Sequence, residues 1–195
     1  MKRVVVFLLI ILISSPLFGQ SKNSIKIIFG TGLSHISSPE FTRNLLDTGI
    51  DINGGIEFST TGNTSIIADY DFSRHPMDNN NPDYRGNINY SSINLKVKFY
   101  PGFRYTPERL YFALGFGFFN SKVNYRMIRS ICPLHGYIKS IEKGMCYNGT
   151  IGINISRIFP SRHDIKLELN HLLIPYQEEL TKFYIIRVGF AFSIR

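Results

Sequence analysis

The sequence contains no tryptophan and only two cysteines among 195 residues. Two cysteines exclude a small scaffold held together by several disulfides. Charge is also scarce: 18 % of residues are Asp, Glu, Lys or Arg, below the roughly 25 % of ordinary soluble domains. Disorder is excluded from the other side, because 44 % of the chain is hydrophobic and 14 % aromatic. Beyond residue 20 no stretch stays apolar for the roughly 18 residues that a membrane-crossing helix needs. No sustained 3.6-residue or heptad period is present, which excludes a helical bundle and a coiled coil. The net charge of +8 is modest and spread along the chain, so it does not form the basic patch of a nucleic-acid binder. There is no Walker loop, no dinucleotide fingerprint and no zinc-protease helix motif.

What is present begins with a leader. Lys2 and Arg3 precede an unbroken apolar run from Val4 to Ile13, which Ser14, Ser15 and Pro16 interrupt. A charged start, a run too short to span as a helix and a break before Gly19-Gln20 are the layout of a secretory signal peptide. The expected division is residues 1–20 as signal peptide and 21–195 as one domain, with export from the cytoplasm.

The rest of the chain alternates apolar and polar residues with period two, the pattern of strands whose two faces see different surroundings. Tyr184, Ile186, Val188, Phe190, Phe192 and Ile194 share one face, and Ile185, Arg187, Gly189, Ala191 and Ser193 the other. Similar runs lie around 25–34, 50–58, 65–72, 93–99, 110–118, 147–156 and 164–173, giving eight strands of about ten residues. Thr60-Thr61-Gly62, residues 101–108 and residues 158–162 read as the shorter connections. Residues 35–48, 74–87, 124–144 and 174–182 read as the longer ones. Alternating short and long connections place the short turns at one end of an up-and-down barrel and the long loops at the other.

Two barrels fit such alternation. In a soluble, lipocalin-like carrier the apolar face points inward around a ligand. In a membrane barrel it points outward to lipid. The polar face here is rich in Gly, Ser, Ala and Asn, small residues that suit the crowded interior of an eight-stranded barrel. The apolar face is bulky with Phe, Ile and Leu, which favours the membrane reading. The polar face also carries Lys26, Asp51, Glu57, Asp69, Asp71, Lys96, Lys98, Lys166, Glu168 and Arg187. Five acids against five bases can pair inside the lumen and close it, whereas each alone would cost several kcal/mol to bury. Tyr70, Phe72, Phe118, Phe119, Tyr147, Phe183 and Tyr184 are expected at one membrane rim. Phe58, Phe99, Tyr100, Tyr111 and Phe112 are expected at the other.

On these runs, and most specifically on Tyr184 to Arg195, the chain resembles the small eight-stranded outer-membrane β-barrels of Gram-negative bacteria, of the OmpA/OmpX or porin-like kind. The resemblance covers about residues 24–195. Its last strand departs from the family pattern by ending in Ile194-Arg195 rather than in an aromatic residue. The resemblance implies an all-β, eight-stranded, antiparallel up-and-down transmembrane barrel in the cell outer membrane. It implies outer-membrane lipid, lipopolysaccharide and the barrel-insertion machinery as partners, together with an unidentified surface ligand. The expected protein is a monomer that acts through its extracellular loops in envelope integrity, adhesion or surface binding. A narrow porin-like channel is the alternative.

Few residues invite chemistry. Cys132 and Cys146 fall in or beside the loop between strands 5 and 6, and in an oxidising exterior they suggest one disulfide. The same loop holds Arg126, Arg129, Lys139 and Lys143 against Glu142, a basic patch suited to phosphates or an acidic partner. His171 lies near Glu168 but lacks the serine two positions on that barrel-type lipid A deacylases carry. No catalytic residue, cofactor or metal site is assigned, and the protein is expected not to be an enzyme.

Overall fold

The computed structural model describes residues 24–39, 43–44, 46–61, 63–78, 84–101, 110–127, 137–155, 163–176 and 179–194. The expected leader at 1–20 lies outside them. Eight strands follow one another: β1 (Ile25–Ser38), β2 (Gly49–Thr61), β3 (Thr64–Pro76), β4 (Tyr84–Phe99), β5 (Leu110–Met127), β6 (Tyr137–Asn154), β7 (His163–Tyr176) and β8 (Glu179–Ile194). Each pairs antiparallel with the next, and β8 pairs with β1 to close the barrel. Closure leaves no open edge where all eight strands overlap, which is how backbone polar groups are satisfied where lipid offers no partner.

The faces follow the alternation. Outward residues are bulky and bare: Ile93 is 67 % exposed, Leu114 70 % and Phe118 66 %. Inward residues are polar and hidden, with Arg187 at 1 % and Lys98 at 0 %. The polar side is therefore the inside, which overturns the lipocalin-like carrier with its apolar interior. Crowding explains the interior glycines. A Cβ at Gly30 would lie 2.6 Å from Arg187 Cδ and 2.7 Å from Asn53 Oδ1, so a side chain there would displace the guanidinium.

Strand lengths differ from the expectation. The strands run into segments that read as long loops, leaving connections 39–48, 77–83, 128–136 and 177–178 at what we term the upper end. The lower end, where Ile25 pairs with Ile194, has connections 62–63, 100–109 and 155–162. The contrast between short turns and long loops is thus replaced by a contrast in wall height. Strands β5 and β6 pair from Leu110↔Ile153 up to Arg126↔Tyr137. Pairing of β6 with β7 stops at Tyr147↔Leu173. Continuing that register would set Pro175 against Met145, and proline has no N–H for the ladder. Among the described residues, Tyr137–Cys146 is therefore paired on its β5 side alone.

Candidate functional site: a filled lumen and a basic upper rim

All ten charges expected on the polar face enter the lumen, and they meet there in layers. Nearest the lower mouth, Lys26 Nζ donates to Asp164 Oδ2 at 2.6 Å. Above it Glu57 receives Lys98 Nζ at 3.0 and 3.2 Å and Lys166 Nζ at 2.7 Å. Lys98 also sits 4.2 Å over the Tyr111 ring and 4.8 Å over that of Tyr100, where the ring faces attract a cation. Tyr111 Oη donates to Glu168 Oε1 at 2.5 Å.

Higher again, Lys96 Nζ lies 2.7 Å from Asp69 Oδ2 and 3.8 Å from Asp71 Oδ2. Asn94 Nδ2 donates to Asp69 at 3.1 Å and to Asp71 at 2.8 Å. Arg187 is the hub of this layer. Its Nε and Nη2 both reach Asp51 Oδ1, at 2.8 and 2.6 Å. Nη2 also donates to Asp71 Oδ1 at 2.8 Å, and Nη1 stands 3.7 Å from Glu168 Oε2. These pairs join β1 to β7, β2 to β4, β7 and β8, and β3 to β4 and β8, so the interior braces the wall from side to side.

An apolar layer closes the lumen above the charges. Ile36, Leu46, Met77, Phe119, Leu172, Ile174, Phe183 and Ile185 are all buried in one cluster. His75 joins it, with its ring 6.0 Å from that of Tyr90 and 5.7 Å from that of Phe183. Cavities of about 20 and 10 Å³ remain in the interior, each with room for a water molecule rather than a solute.

Several expectations are corrected here. Cys146, expected to bond Cys132, is a free thiol. It lies midway along β6 rather than in a loop, faces inward within the apolar layer, and has Sγ 3.6 Å from Asn94 Oδ1. Cys132 lies outside the described residues. Phe119 and Phe183, expected at the upper rim, point into the lumen, since neighbours on a strand must take opposite faces. Tyr111 and Tyr100, expected at the lower rim, belong to the polar interior. The outer rim instead includes His171 stacked on Tyr184, with ring centroids 4.7 Å apart and planes 3° from parallel.

The expected basic patch is spread along strands. Arg126 falls within β5 and Lys139 and Lys143 within β6, while Arg129 lies outside the described residues. Lys143 is exposed on the outer face, beside Asn120 and near exposed Lys122. Arg74 on β3 and Arg85 on β4 are exposed on the same face near the upper end, and Lys182 is outward-facing on β8. No described strand residue facing outward at this height is a carboxylate.

Asp164, Asn53 and Asn94 join this network without being among the ten charges expected in it. Asp164 and Asn94 were visible on the polar face, but which of its members meet depends on strand tilt across the lumen.

No protein-family model matches the chain, and no curated protein matches it in sequence. Solved structures do match in fold. The attachment invasion locus protein Ail of Yersinia pestis, crystallised with the heparin analogue sucrose octasulfate, gives a TM-score of 0.59 at 11 % identity, over 88 % of this chain and all of Ail. Neisserial surface protein A gives 0.57 at 11 % identity, over 89 % of this chain and 100 % of the other. OprG of Pseudomonas aeruginosa gives 0.51 at 10 % identity, over 91 % and 98 %. The chain has the fold of these small outer-membrane β-barrels.

Proposed function

We propose that this chain is a monomeric outer-membrane barrel with a closed lumen that binds anionic glycans at its upper, extracellular end. The binding chemistry is clustered phosphate or sulfate esters, as carried by lipopolysaccharide or by a sulfated host polysaccharide. The observation that carries this reading is the basic outer face: Arg74, Arg85, Lys122, Lys143 and Lys182 stand near the upper end, and no described strand residue facing outward at that height is a carboxylate. Ammonium and guanidinium groups at that height meet the headgroup layer or whatever approaches from outside. Ail, a neighbour in fold, was crystallised with a sulfated ligand, which supports the choice of chemistry. The layered lumen supports a role outside transport. The reading assigns no catalytic step, no cofactor and no nucleic acid, and leaves insertion to the cell's barrel-assembly machinery.

The test is binding of the folded barrel to sucrose octasulfate and, separately, to vesicles with and without lipid A phosphates. Salt-sensitive binding that falls at least about tenfold in a Lys122→Glu/Lys143→Glu double variant is expected, since affinity built on several charge contacts is steeply ionic. Equal binding by the variant, or none by the native barrel, would overturn the reading. The two ligands separate a host glycan from lipopolysaccharide.

A further inference from the structure

The lumen charges do not balance. Lys98 and Lys166 face Glu57, leaving one positive charge in the lower layer. Lys26 and Asp164 pair off at the mouth. In the layer above, Lys96 and Arg187 face Asp51, Asp69, Asp71 and Glu168, leaving two negative charges. The sum over these described residues is one surplus carboxylate, inside a wall where an uncompensated charge costs several kcal/mol.

Geometry singles out which carboxylate carries the surplus. Both Glu57 oxygens are held by lysines. Asp69 Oδ1 takes Asn94 and Oδ2 takes Lys96. Asp71 Oδ1 takes Arg187 and Oδ2 takes Asn94. Glu168 Oε1 takes Tyr111, and Oε2 faces Arg187 Nη1. Asp51 differs. Arg187 places both Nε and Nη2 on Oδ1 instead of forking across the two oxygens, and Oδ2 is buried with no hydrogen-bond partner. Asp51 is 0 % exposed. The cavity of about 10 Å³ touches Asp51, Asp71, Ser73 and Ser92.

We propose that the closed lumen binds one monovalent cation at Asp51 Oδ2, a sodium ion or a proton, which neutralises the interior. A sodium ion would take oxygen ligands from Asp51, Asp71 and the two serines, a hard-donor set. One surplus carboxylate calls for a single positive charge, so the occupant is monovalent. A proton would sit on Oδ2 itself, leaving Oδ1 as the carbonyl oxygen that accepts from Arg187.

The experiment is unfolding of the full barrel in detergent micelles at neutral pH and fixed ionic strength, with sodium chloride replaced stepwise by choline chloride. Isotope-edited infrared spectra of the same samples report protonated carboxyl groups. Stability that rises saturably with sodium, and loses that dependence in Asp51→Asn, identifies sodium. Stability indifferent to sodium, with a protonated-carboxyl band that disappears in Asp51→Asn, identifies a proton. A native barrel with neither sodium dependence nor that band would overturn the proposal, as would either signal persisting unchanged in folded Asp51→Asn. The native barrel is read first, so a variant that fails to fold leaves the proposal open to refutation.

Discussion

Arg187 touches buried Asp51 and Asp71 directly and lies near half-buried Glu168. Arg187→Met keeps an unbranched apolar stem but strips the guanidinium from these carboxylates. The expected loss is about 3–5 kcal/mol, the usual result of removing one partner from a buried ionic cluster. It is measured as a lower urea midpoint by circular dichroism, since the chain has no tryptophan to report fluorescence. Gly152 gives a second residue-scale case. A Cβ there would overlap the Tyr111 ring, which cannot swing away without breaking its bond to Glu168. Gly152→Ala is expected to cost about 1–3 kcal/mol through overpacking, read in the same titration. The Cys146 thiol, fully buried, is expected to resist maleimide in the folded barrel and to react once the protein is boiled in SDS, as read by mass spectrometry.

Each strand divides lipid from lumen by alternation, and this division was legible before any coordinates: Leu110, Phe112, Leu114, Phe116 and Phe118 face out while Tyr111 and Ala113 face in. The heights of strand ends were not legible. Above Phe118 the outward positions of β5 turn to Asn120 and Lys122, and on β6 Lys143 interrupts Met145 and Ile141, so the apolar signal breaks up although the hydrogen-bonded ladder continues. Composition there matches a loop, and only cross-strand pairing reveals a wall. The ten lumen charges could be named from sequence because each lies on a polar face. Their partnerships could not, because Arg187 meets Asp51 across a distance of 136 residues in the chain. The lipid-facing half of each strand makes its own prediction. Leu114→Arg places a charge on the outer face near mid-membrane and is expected to cost about 2–4 kcal/mol on folding into lipid vesicles. Lys122→Ala, above the apolar band, is expected to change that energy little.

For the whole molecule, the layered interior predicts electrical silence. Reconstituted in a planar bilayer, the barrel is expected to show no steady openings, because an ion would have to displace the Arg187 cluster and then cross the apolar layer around Phe183. Regular conductance steps would refute a closed lumen. The same bracing predicts resistance to mild SDS, visible as a shift in gel mobility on boiling.

The interior network also implies a sequence of events. Asp51, Asp71 and Glu168 sit on β2, β3 and β7, and the guanidinium that joins them arrives on β8. Until that strand docks against β1, the growing sheet carries carboxylates with too few counter-ions and has every reason to stay wet. The final hairpin therefore acts as a latch: it seals the wall and brings the guanidinium to the waiting carboxylates in one step, so a half-built barrel is held back from the lipid until it can close.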